Sequence, residues 1–229
     1  MKSLILIYIN MENLKNNKLT IITPSYRINN LHEIKKSLNF EYIDEWIIVY
    51  DGNKIESNPN IFHGNNKIKE YIRSSCKGEG ISGNPQWNYA LSKITNPNTL
   101  LYYLDDDNII HPDLYKLLDW INATGNNDKI YTFNQCNRIK GNNINVGYID
   151  TAMVIIPYNL CKNIKWKLDI YEADGYYITE CYDNNKDKTG YIDRDLCYYN
   201  FLQGFWRRDF EGKTKGFIKP KLRLWDFLG

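Results

Sequence analysis

Three short apolar runs, each closed by a polar break, limit what this chain can become. Leu19-Thr20-Ile21-Ile22-Thr23 stops at Pro24, Trp46-Ile47-Ile48-Val49-Tyr50 stops at Asp51-Gly52, and Leu100-Leu101-Tyr102-Tyr103-Leu104 stops at Asp105-Asp106-Asp107. Runs of this length, rich in β-branched and aromatic residues, read as strands buried on both faces. Helical spacing lies between them. Leu31, Ile34 and Leu38 share one face of a stretch over 32–38, Pro85 opens one over 85–93, and Leu114, Leu117, Leu118 and Ile121 follow Pro112. Lys129 to Phe133 adds a strand, and Lys67 to Arg73 fits either a strand or a short helix. The alternation predicts an α/β fold, a Rossmann-like, mostly parallel sheet flanked by helices. In such sheets ligands bind beyond the carboxyl ends of the strands. Pro24-Ser25, Asp51-Gly52 and Asp105 to Asp107 all fall there.

Three adjacent carboxylates at the edge of a core repel one another and lose solvation. A divalent cation is the simplest counter-charge, and hard oxygen ligands favour Mg²⁺ or Mn²⁺, which bind through one or two carboxylates plus phosphate oxygens. A solvated acidic turn is the plainer alternative.

The totals exclude more than they assign. At 229 residues and a net charge of +2, the chain fits one large domain with no basic footprint for nucleic acid. The five cysteines (Cys76, Cys136, Cys161, Cys181 and Cys197) are dispersed and form no CxxC pair. They read as reduced thiols of a cytoplasmic protein. The apolar stretch Leu4 to Ile9 is too short to span a membrane, so no stable membrane insertion is expected. Residues 1–18 read as an N-terminal extension to a single domain over 19–229. Within that domain, 19–133 carry the alternating pattern, 134–205 are more irregular, and 206–229 form a basic, aromatic tail. In the irregular part, Met153 to Ile156 reads as a strand. Ile170 to Glu180 reads as a helix start with Asp169 as a possible cap, and Asp183 to Lys188 as a charged loop.

Taken together, several segments resemble GT-A-fold glycosyltransferases, in particular inverting, family-2-like enzymes and small viral glycosyltransferases. They are Ile-Ile-Thr-Pro-Ser-Tyr-Arg at 21–27, Gly83-Asn84-Pro85-Gln86-Trp87-Asn88-Tyr89-Ala90-Leu91, and Leu104 to Asn108 with Pro112 four residues on. Tyr148-Ile149-Asp150-Thr151 followed by Glu172-Ala173-Asp174-Gly175 completes the set. The resemblance spans about Leu19 to Tyr182. It implies a GT-A-type sheet with an irregular acceptor-side half, and transfer of a sugar from a nucleotide-sugar donor, UDP-linked by default. The acceptor is a glycan, a protein side chain or a lipid-linked sugar.

Residue by residue, the resemblance implies a nucleoside pocket lined by Thr23, Pro24, Tyr26 and Arg27. Tyr26 either stacks on the base or is a surface tyrosine. Asp51 accepts from the base or only forms a turn, and Arg73 faces the diphosphate or solvent. Gly83, Asn84 and Asn88 belong to the donor side. Asp107 is the main metal ligand, for Mn²⁺ or Mg²⁺. Asp105 is a second ligand or a ribose contact, Asp106 touches the sugar, and Asp150 serves donor or acceptor. The general base is Asp174, with Glu172 the other choice.

One departure stands out. Many metal-dependent members supply a late histidine ligand, whereas His32, His63 and His111 all come early. Two other readings stay open. A nucleotidyltransferase also pairs acids with a metal, although Thr23 to Arg27 lacks the glycines of a phosphate loop. A non-catalytic sugar-nucleotide-binding module would keep the cleft without turnover.

Overall fold

The computed structural model describes residues 17–74 and 83–203. Cys76, most of the glycine-rich stretch Gly78 to Gly83, nearly all of the N-terminal extension and the basic tail lie outside the described residues. Among the described residues seven strands form one sheet: β1 Leu19–Ser25, β2 Ile43–Asp51, β3 Ile68–Arg73, β4 Leu100–Tyr103, β5 Ile130–Gln135, β6 Val154–Pro157 and β7 Thr189–Cys197. Their order is β3-β2-β1-β4-β6-β5-β7. Every neighbouring pair is parallel except those of β6, which runs antiparallel to both β4 and β5. The fold is therefore a mostly parallel α/β sheet flanked by helices, as expected. Residues 67–73, ambiguous in sequence, form edge-side strand β3.

β1 sits between β2 and β4 and is buried along nearly its whole length, which is why its sequence is an unbroken apolar run. The chain winds outward through β1, β2 and β3, then returns to the other side of β1 to form β4. The strand order thus reverses between β1 and β4, where α/β sheets open a crevice for ligands.

Among the described residues the α-helices are α1 Ile28–Ser37, α2 Asn84–Leu91, α3 Leu114–Thr124, α4 Tyr158–Cys161 and α5 Ala173–Asp183. The predicted stripe Leu114, Leu117, Leu118 and Ile121 is fully buried on α3. That helix stops at Gly125, whose φ of 68° supplies the left-handed cap. α1 starts earlier than its spacing suggests. α5 starts at Ala173 with Glu172 at the cap position, so Asp169 is not its cap. No described helix is long and apolar enough to cross a membrane.

An aromatic stack joins the two halves beneath the strand ends. Trp87 of α2 stacks on Trp166, and Trp166 on Tyr177 of α5, with centroids 5.0 and 4.6 Å apart. Tyr103 of β4 meets all three edge-on, and its hydroxyl lies 2.6 Å from that of Tyr177. Such pairs add about 0.5–1.5 kcal/mol each beyond area burial. Asn88 locks the same junction, donating to the Trp166 carbonyl and accepting from the Trp166 N–H, both at 2.9 Å.

Candidate functional site

A cleft of about 810 Å³ opens over the β1 and β4 ends. Its lining includes Pro24, Tyr26, Arg27, Asp51, Gly83, Asn84, Asp105 to Asn108, Asp150, Glu172 and Asp174. The strand geometry explains the convergence. Parallel β1 and β4 pair in register from Leu19↔Leu100 to Ile22↔Tyr103, which brings Asp106 beside Ser25, Tyr26 and Arg27 at the end of β1.

Asp106 is the hub of this junction. Its Oδ2 accepts from Ser25 Oγ at 3.0 Å and from the N–H groups of Tyr26 and Arg27 at 3.0 and 2.9 Å. Its Oδ1 is ion-paired with the Arg27 guanidinium. Asn30 donates to its carbonyl at 2.8 Å. Asp106 is therefore spent on holding the Ser25–Arg27 loop, which replaces its expected role as a sugar contact. Arg27 is held charged, because Asp106 and Asp107 outweigh the burial that opposes the charge.

Asp105 and Asp107 are less well compensated. Burial, then the charges of Asp150 and Asp107, push the Asp105 carboxyl well above the usual range. Its Oδ2 accepts from Thr151 Oγ1 at 2.8 Å. Burial also raises Asp107, with Arg27 acting against it. Asp107 accepts from Gln203 Nε2 at 2.5 Å, and its carbonyl accepts from Leu202 N–H at 2.7 Å. Among the described residues no group of three His, Cys, Asp or Glu is arranged to hold a metal ion by itself. The oxygens of Asp105 and Asp107 suit Mg²⁺ or Mn²⁺ only as a partial set, one that phosphate oxygens and water complete. The excess negative charge is what such a cation would relieve.

Asp150 adjoins the triad through Thr151, which also contacts Asp105. Thr151 Oγ1 contacts Asp150 Oδ1 at 2.9 Å, and Gln135 Nε2 donates to Asp150 Oδ2 at 3.0 Å. Arg138 lies 3.8 Å away. Asp174 stands in the first turn of α5, half-buried. Burial first, and the Asp150 charge second, raise its carboxyl to about 6. A buried carboxyl tuned toward neutrality is what a general base requires. Glu172 reaches the same cleft but is exposed. The Trp166 indole N–H is buried at the cleft wall with no hydrogen-bond partner among the described residues.

Three expected donor-site residues are used elsewhere. Thr23 is fully buried in the sheet, and its Oγ1 accepts from Trp46 Nε1 at 2.9 Å. Asn88 is consumed by Trp166. Arg73 donates to the Ser74 carbonyl and does not line the cleft. Asn84 lines the cleft, but its amide is directed at the Leu168 and Ile170 carbonyls. Asp51 Oδ1 accepts from Asn53 N–H, so it shapes a turn at the cleft rim. Tyr26 is 42% exposed, with Lys54 Nζ 3.6 Å and Arg27 Cζ 4.3 Å from its ring centroid. Gly83 has φ +81°, and a Cβ there would meet Pro24 at 3.2 Å. Sequence reasoning missed Gln135, Arg138, Gln203, Lys54, Trp166 and Tyr171. Gln135 and Lys54 stand at or just past the ends of β5 and β2, where the strand-end signal that located the triad could have found them, whereas Trp166, Tyr171 and Gln203 carry no such signal.

No family model matches the sequence, and no curated protein matches it. Solved structures of similar chain course include a 4-diphosphocytidyl-2C-methyl-D-erythritol synthase, with 9% identity and a TM-score of 0.47 over 78% of this chain and 89% of that one. Another is the Francisella tularensis 2-C-methyl-D-erythritol 4-phosphate cytidylyltransferase, with 11% identity and a TM-score of 0.46 over 87% of this chain and 99% of that one.

Proposed function

We propose that the cleft binds a nucleoside diphosphate sugar, with UDP the first candidate, and transfers the sugar to an acceptor hydroxyl. The observation that carries this reading is the presence of two acidic groups in one cleft. The strand-end triad lies at the switch point, and half-buried Asp174 lines the same cleft with a carboxyl raised to about 6. The acceptor oxygen attacks the anomeric carbon while its proton passes to the Asp174 carboxylate. The bond to the β-phosphate breaks, and its electron pair leaves with the diphosphate. A divalent cation on Asp107 and Asp105, completed by diphosphate oxygens, would stabilise the charge on that leaving group. Asp106 holds the Ser25–Arg27 loop, and Arg27 supplies positive charge beside it.

Nucleotidyl transfer is the second reading. Three cationic side chains on the cleft lining favour it, because Arg27, Lys54 and Arg138 suit a triphosphate. The two readings release different products. Incubation with Mn²⁺ and a panel of nucleotide sugars should release a nucleoside diphosphate, and Asp174→Asn should abolish the release. Pyrophosphate formed from a nucleoside triphosphate would instead establish the second reading.

A further inference from the structure

The turn that follows β7 is anchored on the carboxylate loop, and one of its side chains reaches into that loop. Tyr198 rests on His111 and Phe201 on Tyr198, each pair with centroids 4.9 Å apart. Phe201 N–H donates to Asn108 Oδ1 at 3.1 Å, and Leu202 N–H to the Asp107 carbonyl at 2.7 Å. Asn200 bends the chain with a left-handed φ of 49°, and its carbonyl accepts from Gln203 N–H at 3.1 Å. None of these contacts uses the Gln203 side chain. They deliver it to Asp107, where Nε2 meets Oδ2 at 2.5 Å, although Gln203 is otherwise exposed.

A neutral amide is a weak partner for a crowded carboxylate. Asp105, Asp107 and Asp150 line the cleft together, and Arg27, 3.5 Å from Asp107, is paired more closely with Asp106. The amide has a second end, however. A half-turn about its terminal torsion puts Oε1 where Nε2 stands, with no backbone movement. That oxygen is repelled by a bare carboxylate but is a ligand when the two share a cation. Two oxygens in adjacent positions on a cation bound at about 2.1 Å lie about 3 Å apart, close to the present 2.5 Å contact. No histidine stands in its place: none lines the cleft, and His111 Nδ1 accepts from Asp113 N–H at 3.1 Å. We infer that Gln203 is a further metal ligand: its amide nitrogen holds the Asp107 carboxylate when no cation is bound, and its amide oxygen joins Asp107 on a divalent cation. The inference rests on the proposed metal role of Asp107, and it makes the turn after β7 part of the site.

The test is Mn²⁺ binding to the full-length protein in the presence of UDP, read without turnover from the electron paramagnetic resonance signal of the free ion. Gln203→Ala should weaken Mn²⁺ binding about 10–100-fold. Gln203→Glu should bind Mn²⁺ at least as tightly as the wild type, because a carboxylate ligates but does not donate a hydrogen bond. Without metal the glutamate variant should melt below the wild type, since two carboxylates then face each other, and Mn²⁺ should remove that deficit. A glutamine that only hydrogen-bonds Asp107 competes with the cation. Binding as tight as the wild type or tighter in Gln203→Ala, or weaker binding in Gln203→Glu, would therefore overturn the inference. Asp107→Ala separates the two levels. Mn²⁺ binding lost there but kept in Gln203→Ala overturns the Gln203 assignment alone, whereas binding that Asp107→Ala leaves intact, or none in the wild type, overturns the metal role of Asp107 and the inference with it.

Discussion

At the residue scale, Asp174 and Asp106 do opposite things with a buried carboxylate. Asp174 accepts from the Gly175 N–H at 2.7 Å, yet burial and then the Asp150 charge raise it to about 6. As a base it must be ionised, so turnover should rise with pH through about 6 and then level off. Its folded pKa exceeds the unfolded value of about 3.9. The folded state therefore binds more protons between those values, and stability falls as pH rises from about 4 to about 6. Asp174→Asn removes that loss. The variant should lose about 10²–10⁴-fold in turnover, keep nucleotide binding, and unfold at higher temperature above pH 6, by on the order of 1–3 kcal/mol. Activity and melting curves across pH check both halves of this outcome. Asp106, by contrast, accepts three hydrogen bonds on one oxygen and the Arg27 ion pair on the other. Asp106→Ala leaves those donors unmet, at about 1–3 kcal/mol for each buried group that finds no water. It should lower stability and nucleotide affinity together, as read by denaturant unfolding and calorimetric titration.

At the element scale, the site depends on α2 and α5 being locked through Trp166. Asn88→Ala removes both hydrogen bonds to the Trp166 backbone. It should destabilise by about 1–3 kcal/mol and lower turnover by displacing α5 and Asp174, while nucleotide affinity on the β1 side changes little. Separate titration and rate measurements distinguish those effects. The sequence made most elements legible where burial was two-sided. β1, β2 and β4 read as plain apolar runs because both faces are covered, and α3 showed its full stripe. β7 did not stand out, since Tyr191, Asp193, Arg194 and Asp195 are exposed along it, as suits an edge strand. Asn88 was misread because a helix pattern marks it as polar without saying what it bonds. Its partner lies 78 positions away.

At the scale of the whole molecule, one sheet built from both halves of the sequence brings distant residues to one cleft. The triad and the Pro24 to Arg27 loop could be placed from sequence because strand ends share an edge in parallel sheets. The pairing of Gln203 with Asp107 and of Gln135 with Asp150 could not, because those contacts depend on how later segments fold back. The thiols also answer to the whole fold. The described cysteines are free; Cys161, Cys181 and Cys197 are buried, and burial pushes their thiols up. Thiol titration of the native protein should leave these three unreacted until denaturant is added, and a reducing agent should not change the melting temperature.

The most direct test of the central claim is a thermal-shift measurement with nucleoside diphosphates, each with and without Mn²⁺, on the wild type and Asp107→Ala. A cleft of the proposed kind gives a stabilisation by one diphosphate that requires the metal and is lost in the variant. No metal-dependent shift with any nucleotide in the wild type, or a shift that survives unchanged in Asp107→Ala, would contradict it.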